Sequence, residues 1–563
     1  MDAALRSPSL AMEQRSLGIA RHALLFLVCL FAFLPGISTL PPTDRDESRF
    51  VQSTKQMVET GNYVDIRLQQ EARYKKPIGI YWLQSAAVLL SGDGPQAPIW
   101  VYRLVSVLGG TLAVLVTGWL GARMFGREAG LIAGVALAGI VMLGFEARIA
   151  KTDATLCATA LFAQAALANI YLRRKEGRAA SRASPWIFWA AQGAAILVKG
   201  PVVPLVSLLT VLTLLGVDKD RAWLKKLKVL PGILLAILIT APWLVLITLK
   251  SGGAFWQEAV GKDLLGKVGG AQESHGAPPG FYALIYVLFF WPFAYAALEA
   301  GLKALARFRA DPRLLFCLAW YIPYWLVIEI IPTKLPHYIL PAYPAFILLM
   351  AWMLTDAAAK SIAFRPWQVW LRRITLAGFA LVTLLLAVAA IGVTPYLMKT
   401  ISWWGILAAL LALFAGWLGS GVRPVLPPLP RIFLATACSA ATFGLLTVFV
   451  LPGLKPLWLS PQIADVFKTA KPCPTSRLVS VGYAEPSLVF LAGTDTLLTD
   501  AKGAADAIAS DKCAIAVVAD RSVGAFMKAL PGGQAGLDEV GTVKGINYSK
   551  GTEKLFILFR RKG

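Results

Sequence analysis

Charge is scarce in this chain: Asp, Glu, Lys and Arg make up only 15% of 563 residues, while 57% are hydrophobic. That balance excludes an ordinary soluble domain, in which about a quarter of the residues are charged. Acids are scarcer still, 32 against 55 lysines and arginines, giving a formal net charge of +23. A surplus of this size suits nucleic acid in a soluble protein. Here the bases sit in short clusters between apolar runs, the pattern by which proteins fix their orientation in a membrane. Nucleic acid is therefore not an expected partner.

Cysteine is also rare, with six residues in the whole chain. Cys29, Cys157, Cys317 and Cys438 fall inside apolar runs and read as small packing residues. Cys473 and Cys513 lie in a C-terminal segment expected on the exported side, where a disulfide is chemically permitted. Spacing alone leaves their pairing open. The chain has no internal repeat, which argues against a secondary transporter or lipid flippase. Its C-terminal segment carries no phosphate-binding loop and no metal signature. A basic N-terminus leads into an apolar run at 23–37 without a convincing small-residue cleavage site, so that run reads as a retained first helix.

What is present is long apolar sequence, nearly end to end. Runs of this length read as membrane helices, and about thirteen spans are expected, from 20–40 to 430–451. Among them are 128–147, 280–301 and 336–356, and a pair at 185–199 and 201–216 divided at Lys199-Gly200-Pro201. Keeping that pair separate places the clusters at Arg123–Arg127, Arg173–Arg182, Lys219–Lys228, Lys303–Arg313 and Lys360–Arg373 on the side of the N-terminus. By the positive-inside rule this side is cytoplasmic. The expected architecture is an α-helical polytopic membrane domain over 1–455, whose outer-face loop 41–99 carries the most unusual polar sequence. Residues 456–563 follow as a small α/β domain on the outer, periplasmic side. Its strand-like runs are 477–482, 495–499, 513–519, 539–547 and 554–560, with helix-like runs at 486–492, 501–510 and 521–530.

The same topology gathers scattered polar clusters on the outer face. Asp46, Glu47 and Arg49 come first, then Arg73, Tyr74, Lys75 and Lys76 ahead of an aromatic run. Glu146, Arg148, Lys151 and Asp153 follow, then Lys199, His275 in the 250–279 loop, and Lys334, His337 and Tyr338 at the head of a proline-interrupted span. Ionisable groups at membrane depth are costly and point to function. Each cluster also has a plainer reading: Asp46 and Glu47 suit a helix N-terminus, Asp153 suits a local ion pair, and the bases suit lipid headgroups. Pro336, Pro341 and Pro344 would distort their span and free backbone groups to line a cavity. Chemically, a carboxylate at the reacting centre serves as general base, and Arg73, Lys76 and Lys199 suit a lipid phosphate. Asp46 and Asp153 on one face also leave a divalent metal open, without a fuller ligand set.

In order, spacing and side, several segments over about 20–350 resemble one family. They are Asp46-Glu47-x-Arg49-Phe50, Arg73-Tyr74 with Lys76-Pro77 and Tyr81-Trp82, Arg148 to Asp153, Lys199-Gly200, and the run from Lys334 to Pro341. The chain resembles the polyprenyl-phosphate-sugar glycosyltransferases of the aminoarabinose transferase and protein O-mannosyltransferase-like group. That resemblance implies a GT-C fold in the bacterial inner membrane and inverting transfer of a sugar from a polyprenyl-phosphate carrier on the periplasmic face. The implied acceptor is lipid A or lipopolysaccharide, with an exported protein as the alternative. By the same resemblance Asp46 is the base, Glu47 and Arg49 support it, and Asp153 is the second acid. Lys76, Arg73 and Lys199 would bind the carrier phosphate, and His337 and Tyr338 would shape the pocket. Tyr74, Arg148, His275 and Lys334 complete the expected substrate-binding set.

Overall fold

The computed structural model describes residues 16–43, 45–270, 276–531, 536–548 and 550–562. Among these, eight helices are long and apolar enough to cross a membrane, and three shorter apolar helices accompany them. The longest, Pro366–Met398, leaves Leu381, Leu384, Leu385 and Val388 exposed along one side. A surface so apolar is stable only against lipid. The helices nearer the centre, such as Asp153–Lys175, bury most of their length against one another in a single large apolar core.

Two expected spans are not continuous helices. The 128–147 span is divided into Arg127–Gly139 and Val141–Glu146 by an extended Ile140. The 280–301 span is divided into Phe281–Phe289 and Ala294–Arg307. Pro292 explains the second break, because proline lacks the N–H the helix needs and its ring clashes with the preceding turn. The breaks face each other, and the Val141 N–H donates to the Trp291 carbonyl at 3.0 Å. At the first break, Thr436 donates to the Val135 carbonyl (3.0 Å) and Ser439 to the Gly139 carbonyl (2.8 Å). Backbone groups left over by a broken helix must find partners inside the protein at this depth, and these hydroxyls supply them.

The 336–356 span behaves as its prolines require. It opens as a tight turn, Pro336–Ala342, and becomes an α-helix only at Tyr343–Thr355. Side chains collect the freed carbonyls: Tyr282 donates to Leu335, Tyr324 to Tyr338 and Trp320 to Pro341. This network fixes the short segment that presents His337 and Tyr338.

From Leu459 onward the chain forms a five-stranded mixed sheet in the order Leu497–Thr499, Leu478–Val481, Ile515–Ala519, Thr552–Arg561, Leu537–Asn547. The two central strands, LVSV and IAVVA, are buried on both faces, as parallel strands flanked by helices on both sides must be. Alternate residues serve two cores, Leu478, Ile515 and Val517 on one face and Val479, Ala516 and Val518 on the other. Every strand and helix expected here is present; the helix Leu459–Ala470, which covers one face, is additional. The sheet unit also contacts the 41–99 segment: Gln69 donates to the Thr494 and Thr496 carbonyls, and Gln52 to the Thr494 hydroxyl.

Cys473 and Cys513 are disulfide-bonded across 40 residues, and the other four cysteines are free and buried. Closing a loop of that size should stabilise the sheet unit by about 2–4 kcal/mol. In the full chain, Cys473→Ser with Cys513→Ser should therefore speed global-opening amide exchange of the two central strands by about thirtyfold to a thousandfold. Unchanged exchange would show that the crosslink adds no stability.

Candidate functional site

The site is built outward from the helix Asp46–Thr60. Two carboxylates in its first turn suit the positive end of the helix dipole, and Gly61 ends it at φ 66°. Arg45, just before it, also has a positive φ of 66°, a conformation that costs a non-glycine residue about 1–3 kcal/mol and recurs at functional sites. Neighbouring side chains then part company. Asp46 is exposed, with Arg49 at 3.9 Å, whereas Glu47 is fully buried against Arg103.

Glu47 and Arg103 form a bidentate pair with both contacts at 2.8 Å. Glu47 also accepts from the Thr43 N–H and hydroxyl and from the Ala150 N–H. Arg103 gives its remaining protons to the carbonyls of Ile37, Leu40 and Pro41. Burial pushes the Glu47 carboxyl up, but Arg103 and these donors outweigh it and hold the group below its ordinary value. One ion pair thus ties the turn after the first helix, the Asp46 helix and the 147–152 loop together. Arg103 was not singled out in the sequence, although a lone arginine in an apolar run is the kind of signal that would have found it.

Asp153 begins the helix Asp153–Lys175 and Lys199 ends the helix Ser184–Lys199, each at the terminus its charge favours. The two are ion-paired, and Lys199 also lies 5.4 Å from the Tyr338 ring. His337 stands between two carboxylates, 3.8 Å from Asp153 and 3.7 Å from Glu146. Lys151 adds a contact of 3.3 Å to Glu146 and 4.0 Å to Asp153. Burial alone would lower the Lys151 ammonium, yet Glu146, Asp153 and Asp46 raise it above its ordinary value.

Lys76 reaches in from the 61–78 loop to Asp263 at 2.6 Å, and Asp263 holds Lys267 at the same distance. Burial brings the Lys76 ammonium down to about 8, with Asp263 opposing the fall. Arg73 lies 5.0 Å from the Phe50 ring with Tyr81 hydroxyl 3.4 Å from its guanidinium.

Together these groups line a cavity of about 440 Å³. Eight lysine and arginine side chains border it against three aspartates, so its chemistry favours an anion. Asp46, Arg49, Arg73, Lys76, Asp153, Lys199, His337 and Tyr338 all line it. Asp263 and Lys267 line it too; the segment expected as the 250–279 loop is helical where it carries them, in Gln257–Leu265 and Gly266–Gly269. A second cavity of about 300 Å³ shares Lys76, Asp153, Lys199 and His337 but is otherwise mostly apolar, with Leu156, Val202, Leu205, Leu264, Ile328 and Ile331.

Four expected ligand-binding or catalytic residues do not border the charged cavity. Glu47 is in the buried clamp. Tyr74 donates to Asp65 at 2.7 Å. Arg148 is spent on the carbonyls of Ala32, Pro35 and Gly144, closing the end of the first helix, and burial lowers its guanidinium to about 10. Lys334 donates to the carbonyls of Ala277 and Ile331. His275 lies outside the described residues.

Among the described residues, the cluster with metal-ligand geometry is Glu146, Asp153 and His337, whose ligand atoms lie within 4.8 Å of one another. Asp46 is not part of it. One Glu146 oxygen is buried without a partner, so an ion could be received there. Lys151 and Lys199 already compensate the two carboxylates, and either would have to withdraw for an ion to bind.

Residues 75–246 match the family model described as dolichyl-phosphate-mannose-protein mannosyltransferase. An undecaprenyl phosphate-α-4-amino-4-deoxy-L-arabinose arabinosyl transferase of Aeromonas hydrophila is 27% identical over 398 residues, 69% of this chain and 70% of that one. Its namesake in Aeromonas salmonicida is 26% identical over 407 residues, 71% of each chain. In fold, the chain is similar to the crystal structure of ArnT from Cupriavidus metallidurans bound to undecaprenyl phosphate. The TM-score is 0.70 at 19% identity, covering 96% of this chain and 98% of that one.

Proposed function

We propose that this chain is a polyprenyl-phosphate-sugar glycosyltransferase of the GT-C superfamily, which moves a sugar from a polyprenyl-phosphate carrier to lipid A or lipopolysaccharide. The observation that carries this reading is the pairing of a cation-rich cavity with a mostly apolar one that shares Lys76, Lys199 and Lys267. A polyprenyl phosphate needs both, a charged seat for the headgroup and a greasy one for the isoprenoid. The donor class follows the likeness to arabinosyl transferases named for an undecaprenyl-phosphate sugar, and the lipid A acceptor is what the family resemblance implies. An exported protein is the second reading, favoured by the mannosyltransferase description of the matching family model.

In the proposed reaction the acceptor oxygen attacks the anomeric carbon and the carrier phosphate leaves from the opposite side, inverting the centre. Asp46, exposed at the cavity wall, takes the acceptor proton. Lys76, Arg73 and Lys199 balance the charge that grows on the leaving phosphate, in a partly dehydrated setting where such contacts are strong. Asp153 holds Lys199 in place, while His337 and Tyr338 bound the sugar side. We place the cavity and the C-terminal sheet on the periplasmic side of the inner membrane and the N-terminus in the cytoplasm. The basic loops at the other end of the helices support that orientation.

Lys76 supplies the test. Removing a hydrogen bond to a charged group costs about 1.5–3 kcal/mol, so Lys76→Ala should raise the donor KM by roughly ten- to a hundredfold and leave the acceptor KM unchanged. The pH dependence has a defined sign. Lys76 in the empty site is charged below about 8, and a bound phosphate favours the charged form. Donor affinity should therefore fall as pH rises through about 8, and Lys76→Ala should lose that limb. An unchanged donor KM in the variant would contradict phosphate binding at Lys76.

A further inference from the structure

At the far end of the bundle from the sugar-transfer cavity lies a second polar cavity, of about 400 Å³, that the proposed reaction does not use. Its walls come from the helix Ala294–Arg307, the end of Tyr343–Thr355, the 420–428 turn and the start of Pro428–Leu445. The helix Tyr343–Thr355 separates it from His337 by 13 residues, or about 20 Å of rise.

The charge at this cavity is poorly balanced. Arg431 is only 5% exposed, and its buried Nε has no hydrogen-bond partner. Buried donors of this kind nearly always find a partner, and leaving one over is costly, more so when it is charged. Among the described residues, the one carboxylate in the wall, Glu299, is already held by Arg372. Lys303 is buried as well and donates to the Ala359 (2.9 Å) and Lys360 (3.4 Å) carbonyls, which uses two of the three protons of its ammonium. Lys360 is exposed at the rim. Three cations thus share one acid, Glu299, which is held by Arg372 while its charge also reaches Arg431 and Lys303. Met353, Leu354 and Leu426 complete the wall with apolar surface.

We propose that this cavity binds a phosphate group, carried by the headgroup of an anionic membrane lipid, with Arg431 as its charge-assisted donor and Lys303 and Lys360 beside it. A phosphodiester would satisfy the orphaned guanidinium Nε, and the first carbons of the acyl chains would rest on the apolar wall. The same chemistry would accept free phosphate, and the experiment separates the two sources. The site is independent of sugar transfer and of the reading given for the other cavity.

The test uses the full-length chain in phosphatidylcholine-containing detergent micelles, with phosphatidylglycerol and inorganic phosphate as probes. Bound phosphatidylglycerol is counted by native mass spectrometry, and the thermal unfolding midpoint is followed with each probe. Wild type should retain phosphatidylglycerol and be stabilised by it, and Arg431→Gln should weaken retention at least tenfold. Lys360→Gln, at an exposed position, should weaken it several-fold and decides the matter if the Arg431 variant does not fold. Stabilisation by inorganic phosphate alone, lost in the same variants, would support the site with a soluble anion as its source. Equal retention in wild type and both variants, with no shift from either probe, would overturn the proposal. Sugar transfer in detergent by the two variants should match wild type.

Discussion

Asp46→Asn should lower the turnover of sugar transfer by about a hundred- to ten-thousandfold, the contribution of a positioned general base, while the donor KM stays within about threefold. The expectation rests on the contrast between adjacent carboxylates. Asp46 is exposed at the wall of the cavity, in the first turn of a helix that buries its neighbour. Asparagine keeps the size at the first helical position but cannot accept a proton. Steady-state kinetics in proteoliposomes, with donor and acceptor varied separately, would check the split. A fall confined to donor KM would assign Asp46 to binding instead of proton transfer.

The second large effect is on stability. Arg103→Met should destabilise the folded chain by about 3–5 kcal/mol, because it leaves the Glu47 charge buried without its partner. Glu47→Gln should be destabilising too, since one amide oxygen can accept from Thr43 or from Ala150 but not from both, and Arg103 loses its buried counter-charge. The sign of the pH dependence follows from the lowered Glu47 carboxyl. Its folded value is below its unfolded one, so its stabilising contribution is present above the unfolded value. That contribution is lost as pH falls through the folded value. Wild type should therefore lose stability on acidification across that window, and Glu47→Gln should lose less. Thermal unfolding in detergent across pH would measure both. Equal midpoints for wild type and Arg103→Met would mean the pair is not what ties the Asp46 helix to the 147–152 loop.

Much of this was legible in the chain. The order of polar clusters and the side on which topology placed them brought Asp46, Lys76, Asp153, Lys199 and His337 to one cavity, because charge at membrane depth is too costly to be scattered at random. The C-terminal strands were readable from short β-branched runs separated by turns. What was hidden depended on tertiary partners. Nothing local distinguishes Asp46 from Glu47; only the distant Arg103 makes one a clamp and leaves the other at the cavity. Arg148 and Lys334 look like cavity bases in sequence, but broken helix ends nearby expose carbonyls that claim them. The break at Ile140 carries no proline to announce it and depends on hydroxyls from Thr436 and Ser439, some 300 residues away.

The central claim is that a lipid-linked sugar is transferred to an envelope lipid at the cavity bordered by Asp46. Mass spectrometry of lipid A and core from cells lacking this chain, complemented with wild type or with Asp46→Asn, tests it most directly. One sugar mass should be absent without the chain, restored by wild type and not restored by an Asp46→Asn protein that inserts at normal levels. A lipid profile unchanged by loss of the chain would contradict the claim and move the acceptor to an exported protein.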